Sequence, residues 1–328
     1  MEALRHFETP PYLVRVIQAY LNDRWITYTG RNGVKERRPV ERGVPQGSVL
    51  GPILWTEDGA YDSVLRCPMP PGAGMVCYAD DTLVLASGRW WNDAACLTET
   101  AVACAVRAIR RLGLSVSPAK SEALWFYDQR RRGTPPAELS TTAIDGEEVP
   151  VGHRMKYLGL IVDSQWTFEP HFEHLAPKVT AVANALSGLL PNIGGAGLGV
   201  RRLYERVVPS RVLYGAPVWA EDLAASRRNL TLVRRLHRTI AIRVARGYRT
   251  VSYATATVLA ASLPFELQAL ALRRVYEHRR ALVSDGRVTP AASAVDVREE
   301  AKLETWERWL EEDTVRPHRA VRADRLNW

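Results

Sequence analysis

The chain reads as an α+β domain of about 165 residues followed by a mostly helical region. Short apolar runs separated by turn residues crowd the first half. From about Phe168 the texture changes to long helical patterns with few strand signals, divided by loops at 190–199 and 284–290. Taken in order, Pro10 to Leu21 carries Leu13, Val16, Ile17, Tyr20 and Leu21 at helical spacing, with prolines suited to a first turn. Arg24–Thr29 and Lys35–Val40 read as two strands joined through Gly30 and Asn32-Gly33. Leu50 to Leu65 reads as one helix, ended by the prolines at 68, 70 and 71.

Next, Met75–Tyr78 and Thr82–Ala86 flank a polar pair, the pattern of a β-hairpin with acids at its tip. Asn92 or Asp93 is the expected cap of a helix to Leu112, with Gly113 as its stop. Leu97, Ala101, Ala105, Ala108 and Leu112 give that helix one apolar stripe. Strands are expected at Ala123–Tyr127 and Tyr157–Val162, with Asp145-Gly146 as a turn between shorter extended pieces. A short tail holding Trp306, Trp309 and Trp328 ends the chain.

Composition excludes several classes. With 46% hydrophobic and 24% charged residues the balance is that of an ordinary globular protein. No apolar run approaches the ~18 residues of a membrane span, and the first residues lack the pattern of a secretory signal. An intracellular protein is expected. Cys67, Cys77, Cys96 and Cys104 are too few and too irregular for a disulfide framework, and none forms a Cys-x-x-Cys pair suited to zinc.

The net charge of +8 points to a polyanionic partner. Its placement says more. Between Arg201 and Arg249 stand twelve arginines, no lysine and three acids, a surplus of nine that leaves the rest near −1. Arginine suits fork-like contacts to phosphate. The plainer reading is a solvated arginine-rich helical face.

Two neighbouring carboxylates, Asp80 and Asp81, at a rigid hairpin tip suit a pair of divalent metals. Such metals lower the pKa of an attacking hydroxyl and neutralise a leaving pyrophosphate. Magnesium prefers hard oxygen ligands and keeps some waters, so a few carboxylates plus substrate phosphates suffice. Tyr-x-Asp-Asp alone is a weak signal, because adjacent acids also form turns. Upstream, Arg42-Gly43-Val44-Pro45-Gln46-Gly47-Ser48-Val49-Leu50-Gly51-Pro52 packs glycine and proline ahead of a helix, allowing a nucleotide to approach the backbone. Gln46 can hydrogen-bond a base or sugar.

Arg42–Pro52, followed some thirty residues later by Tyr78-Ala79-Asp80-Asp81, closely resembles the second and third polymerase motifs of LINE-type (non-LTR) retrotransposon reverse transcriptases. Gly113–Glu122 is similar to the family's fourth motif, and Lys156-Tyr157-Leu158-Gly159-Leu160 to its primer-grip hairpin. Leu213–Trp219 and Arg246–Ser252 are similar to thumb and post-thumb segments of arthropod-type elements, and Trp306-Glu307-Arg308-Trp309 to the paired tryptophans that follow. The latter segments set the chain apart from intron-type reverse transcriptases.

The resemblance implies an incomplete right-hand polymerase palm, a ferredoxin-like antiparallel sheet with helices, followed by an α-helical thumb and a helical C-terminal region. It divides the chain into partial fingers and palm over 1–150, a primer-grip hairpin over 151–168, a basic helical thumb and post-thumb region over 169–284, and a linker with the tryptophan tail over 285–328. Asp80 and Asp81 would be the catalytic, Mg²⁺-binding carboxylates, with Lys120 assisting departure of pyrophosphate. Tyr78, Arg42, Pro45, Gln46 and Gly47 would lie along nucleotide and template. Tyr157, Leu158 and Gly159 would form the primer grip. The implied partners are an RNA template, a DNA primer and deoxynucleoside triphosphates, and the implied location is the nucleus.

One departure matters. The family's first motif, a strand bearing a further metal-binding Asp, would precede the Pro10–Leu21 helix. Only nine residues stand there, with Glu2 and Glu8 as the acids and neither in a strand-like run. Fewer carboxylates weaken a two-metal site, and an unpaired hairpin flank leaves a bare edge. Little or no polymerase activity is therefore expected of this chain alone. The alternative is a non-catalytic nucleic-acid-binding remnant resting on the Arg201–Arg249 segment.

Overall fold

The computed structural model describes residues 8–40, 47–55, 61–188 and 198–284, and near the C-terminus 303, 305–307 and 309. It falls into two units, Met1–Trp125 with Arg132–Gly152, and Phe126–Arg131 with His153–Trp328.

In the first unit, α1 (Pro11–Leu21) starts on prolines whose fixed φ suits a first turn. It buries none of its residues, although its apolar positions share one face. Strands β1 (Trp25–Thr29) and β2 (Lys35–Pro39) pair antiparallel from Trp25↔Pro39 to Thr29↔Lys35. Gly33, at φ +76°, turns the chain between them. Helices α2 (Leu50–Trp55) and α3 (Asp62–Leu65) occupy the ends of the span expected as one helix, and 56–60 lie outside the described residues.

Strands β3 (Ala73–Tyr78) and β4 (Asp81–Ala86) pair antiparallel from Ala73↔Ala86 to Tyr78↔Asp81. Helix α4 (Trp91–Arg111) turns Ala101, Ala105 and Ala108 inward as the stripe predicts, joined by Ala94, Val106 and Ile109. Its N-cap is Trp90, in extended conformation, and not Asn92 or Asp93. Asp93 instead sits in the first turn, where its charge complements the helix dipole. The expected strand Ala123–Tyr127 shrinks to β5 (Ala123–Leu124), because the Tyr127 N–H bonds Ser164 in the second unit's loop and leaves the ladder. Strand β5 runs parallel to β7 (Glu147–Gly152), which also pairs antiparallel with β6 (Thr141–Ile144) across the Asp145-Gly146 turn.

The ferredoxin-like sheet is thus not assembled among the described residues. Four small sheets stand instead, and the β3–β4 hairpin has no third strand among those residues. Mixed helices and small sheets make up the architecture.

In the second unit the expected strand Tyr157–Val162 is a hairpin. β8 (Arg154–Tyr157) and β9 (Leu160–Asp163) pair across Leu158-Gly159, both at positive φ, and that two-residue turn is why one extended run could not continue. Helices α5 (Glu169–Ser187), α6 (Leu198–Val212), α7 (Ala216–Ala225), α8 (Arg227–Ala245), α9 (Tyr253–Leu259) and α10 (Phe265–Ser284) follow. Ser226 and Ser252 cap α8 and α9 by accepting from the Asn229 and Thr255 N–H groups. The core centres on Trp219, Phe168, Phe172, Leu223, Val208, Val212 and Phe265, all essentially without solvent contact. Trp309 is buried against Val258 and Leu263 with Trp306 beside it, so this part of the tail docks on the helices; Trp328 lies outside the described residues.

Candidate active site

Tyr78 and Asp81 face each other as the last cross-strand pair of β3 and β4, and only Ala79 and Asp80 lie between them. A two-residue turn leaves little freedom, so Asp81 is held at the start of a strand and Asp80 in the tight turn beside it. Ala79 takes φ +54°, a conformation that costs an L-residue about 1–2 kcal/mol. The tip is exposed, with Tyr78 66% accessible. Asp80 and Asp81 make no ion pair among the described residues.

The other face of the hairpin is packed. Met75 and Cys77 lie against a small core of Tyr61, Val64, Ala108 and Ile109, with Leu114 and Val116 from the segment ahead of Lys120. The Tyr61 and Thr82 hydroxyls share a hydrogen bond behind the tip, and the Cys77 thiol donates to Thr82 Oγ1 at 3.9 Å. Burial raises the Tyr61 phenol above its usual range, the Thr82 hydrogen bond opposes the rise, and charge on Cys77 and Asp80 adds to it. Burial also raises the Cys77 thiol. Sequence reading missed Tyr61; an apolar helix position gives no sign that its hydroxyl will meet a strand.

The predicted residues are placed unevenly. Tyr78, Asp80 and Asp81 are together. Lys120, exposed, ends a 3-10 turn (Pro118–Lys120) that packs beside β7. Gly47 is described, at φ +84°, where only glycine sits without strain. Arg42, Pro45 and Gln46 lie outside the described residues.

Tyr157, Leu158 and Gly159 form the tip of the second unit's hairpin, and its surroundings explain the Leu213–Trp219 segment. The Tyr214 hydroxyl donates to the Leu158 carbonyl at 2.7 Å. A Cβ on Gly159 would stand 3.1 Å from the Tyr214 ring, and one on Gly215 would stand 2.7 Å from Leu160. Trp219 Nε1 donates to the Tyr214 carbonyl at 3.1 Å, fixing that residue in turn. At the far end of β9, the buried Asp163 carboxylate accepts from the N–H groups of Gln165, Thr167 and Phe168 and from the Thr167 hydroxyl. The backbone that feeds α5 is thereby clamped, with Asn229 donating to the Thr167 carbonyl from α8. An Asp followed by Ser164 and Thr167 is a loop-capping signal that could have marked it.

Residues 1–162 match the reverse transcriptase (RNA-dependent DNA polymerase) family. The chain is 28% identical over 282 residues to a retrovirus-related Pol polyprotein from type-1 retrotransposable element R1 of Bradysia coprophila, covering 83% of this chain and 26% of that protein. It is 31% identical over 271 residues to a putative 115 kDa protein in type-1 retrotransposable element R1DM of Drosophila melanogaster, covering 80% and 25%. This chain belongs to the non-LTR retrotransposon reverse transcriptases. It is also 30% identical over 221 residues to a probable RNA-directed DNA polymerase from transposon BS of Drosophila melanogaster, covering 65% and 23%. The chain spans about a quarter of the length of these curated relatives. No solved structure matches it.

As a reverse transcriptase relative, the chain can be tested for its fit to divalent metal. Asp80 and Asp81 offer hard oxygens on a tight, exposed turn, with no ion pair to either among the described residues, which suits part of a magnesium shell. No group of three His, Cys, Asp or Glu ligands is found among the described residues. The donor set fits, and it is partial.

Proposed function

We propose that this chain is the palm and thumb portion of an RNA-directed DNA polymerase that extends a DNA primer on an RNA template. The observation that carries the reading is the Tyr78–Asp81 tip: two neighbouring exposed carboxylates at a two-residue turn, within the stretch similar to reverse transcriptases. Asp80 and Asp81 would hold Mg²⁺, which when bound activates the primer hydroxyl and neutralises pyrophosphate. Tyr78, beside Asp81, supports primer or nucleotide from the strand. Gly47, with Arg42, Pro45 and Gln46, lines the nucleotide and template path, and Lys120 stabilises the departing pyrophosphate as a charge or proton donor. The Leu158-Gly159 tip presses on the primer, held by Tyr214. Palm and fingers would occupy 1–150 and the helical thumb 169–284. No described helix is long and apolar enough to cross a membrane, and the nucleus is the proposed place of action.

Because the donor set is partial, the chain alone is proposed to extend primers little or not at all. The test is primer extension with magnesium and deoxynucleotides, on the chain and on a fusion carrying the upstream segment of the Bradysia coprophila relative. Extension by the fusion that Asp80→Asn abolishes supports the reading; extension indifferent to Asp80→Asn overturns it. A second reading, nucleic-acid binding without chemistry, is favoured by the arginine surplus of 201–249. It would show as steeply salt-dependent binding with no extension by either protein.

A further inference from the structure

Beyond α8 the backbone is tied down over a short exposed stretch. Arg246 takes the left-handed conformation at φ 55°, and the Gly247 N–H returns to the Ile242 carbonyl at 2.9 Å. The Val251 N–H closes a turn on the Tyr248 carbonyl at 3.1 Å. Arg238, within α8, donates Nε to the Val251 carbonyl at 2.8 Å and a second guanidinium N–H to the Arg249 carbonyl. Val251 packs on the helical core, and Ser252 caps the next helix. A guanidinium in the most basic part of the chain is thus committed to shaping a turn.

That turn presents Tyr248, 85% accessible. Arg246 and Arg249, on either side in sequence, are exposed too, and neither makes an ion pair among the described residues. A tyrosine kept in water forgoes the burial that normally rewards an aromatic ring. A merely solvated loop would need neither the ring nor the arginine clamp behind it.

An exposed aromatic ring on a clamped turn, with exposed arginines two residues before it and one after it in sequence, fits an unpaired nucleobase stacked on the ring, with neighbouring phosphates on the arginines. Duplex bases are already stacked and offer no face to such a ring. We propose that Tyr248 is a stacking platform for an unpaired nucleotide of a single strand, with Arg246 and Arg249 contacting the adjoining phosphates. The proposal rests on the nucleic-acid reading given above and adds where, and in what form, a strand is gripped.

The test is fluorescence anisotropy of the whole chain with a labelled oligo-uridylate and with a blunt duplex of equal length, over a range of salt. Tyr248→Ala is expected to weaken single-strand binding roughly tenfold and to leave duplex binding within about twofold. Tyr248→Trp is expected to bind as the unaltered chain does, since it keeps an aromatic face. Arg249→Ala is expected to flatten the single-strand salt dependence by roughly 0.7 in log–log slope. The ring is exposed, so thermal melting of Tyr248→Ala should match that of the unaltered chain and exclude misfolding. If Tyr248→Ala binds single strands unchanged, or loses both ligands equally, the platform is overturned while nucleic-acid binding stands. If the unaltered chain binds neither ligand in a salt-dependent way, the nucleic-acid reading fails and the platform fails with it.

Discussion

Two hairpins of equal design are held in opposite ways. The β3–β4 hairpin is gripped by its inner face, where Met75 and Cys77 meet a small core and Tyr61 reaches Thr82, while its tip stays open. The β8–β9 hairpin is gripped at the tip by Tyr214, at its base by the Asp163 clamp, and along Leu160 and Val162 by the large helical core. A tip left open can admit metal and nucleotide. A tip latched by a side chain instead offers a backbone of fixed shape, which suits pressing on a strand more than chemistry.

Acid is expected to separate the two hairpins most. His171, bonded at Nδ1 by the Ile161 N–H of β9, and His237, between Tyr253 and Ser262, are both buried in the second unit. Burial lowers His171 to about 4, with the charge of His174 adding, and burial lowers His237 to about 3. Both are neutral when folded, so their contribution is complete above the unfolded pKa of 6.5. It is lost as pH falls toward the folded values. At pH 5 the loss is about 2 kcal/mol for each, or about 4 in all. The described part of the first unit has no histidine. Urea titrations at pH 7 and 5, followed by amide exchange in each hairpin, should show β8–β9 weakened and β3–β4 little changed.

Asp163→Ala comes next. It orphans the buried N–H of Phe168 and the part-buried N–H of Thr167 and should cost about 2 kcal/mol, read as a fall in urea midpoint at constant slope. Gly159→Ala places a Cβ at φ +84° and 3.1 Å from Tyr214, and about 2 kcal/mol is expected. Tyr214→Phe removes one half-exposed hydrogen bond. It should cost about 1 kcal/mol or less, with faster amide exchange confined to the β8–β9 tip. The mirror change, Ala79→Gly, relieves a left-handed residue and loosens the unfolded chain. Stability of β3–β4 should shift by no more than about +1 kcal/mol, a larger loss showing that the open tip depends on contacts of the Ala79 methyl.

The turns were legible residue by residue. Asp145-Gly146 and the Tyr78–Asp81 tip follow from short-range chemistry, in which turn residues interrupt two apolar runs. The inward stripe of α4 was legible because helical spacing places Ala101, Ala105 and Ala108 on one side whatever they meet. By residue pattern alone Tyr157–Val162 read as one strand, because its β-branched and apolar residues outweighed one glycine, whereas the family resemblance implied the hairpin that is found. The shortened β5 was misread because the partner of Tyr127 lies far along the chain.

By itself the amino-acid order determined the Asp145-Gly146 and Ala79-Asp80 turns, where the carboxylates sit on a hairpin, and where positive charge gathers. The turns and the carboxylates depend on residues within a few positions of one another, and the charge surplus on composition alone. Only the tertiary structure decided that Tyr61 backs one hairpin, that Tyr214 latches the other across 56 residues, and that Arg238 shapes the turn displaying Tyr248. Those contacts join segments whose meeting depends on how whole helices pack, and no local pattern encodes a partner at that distance.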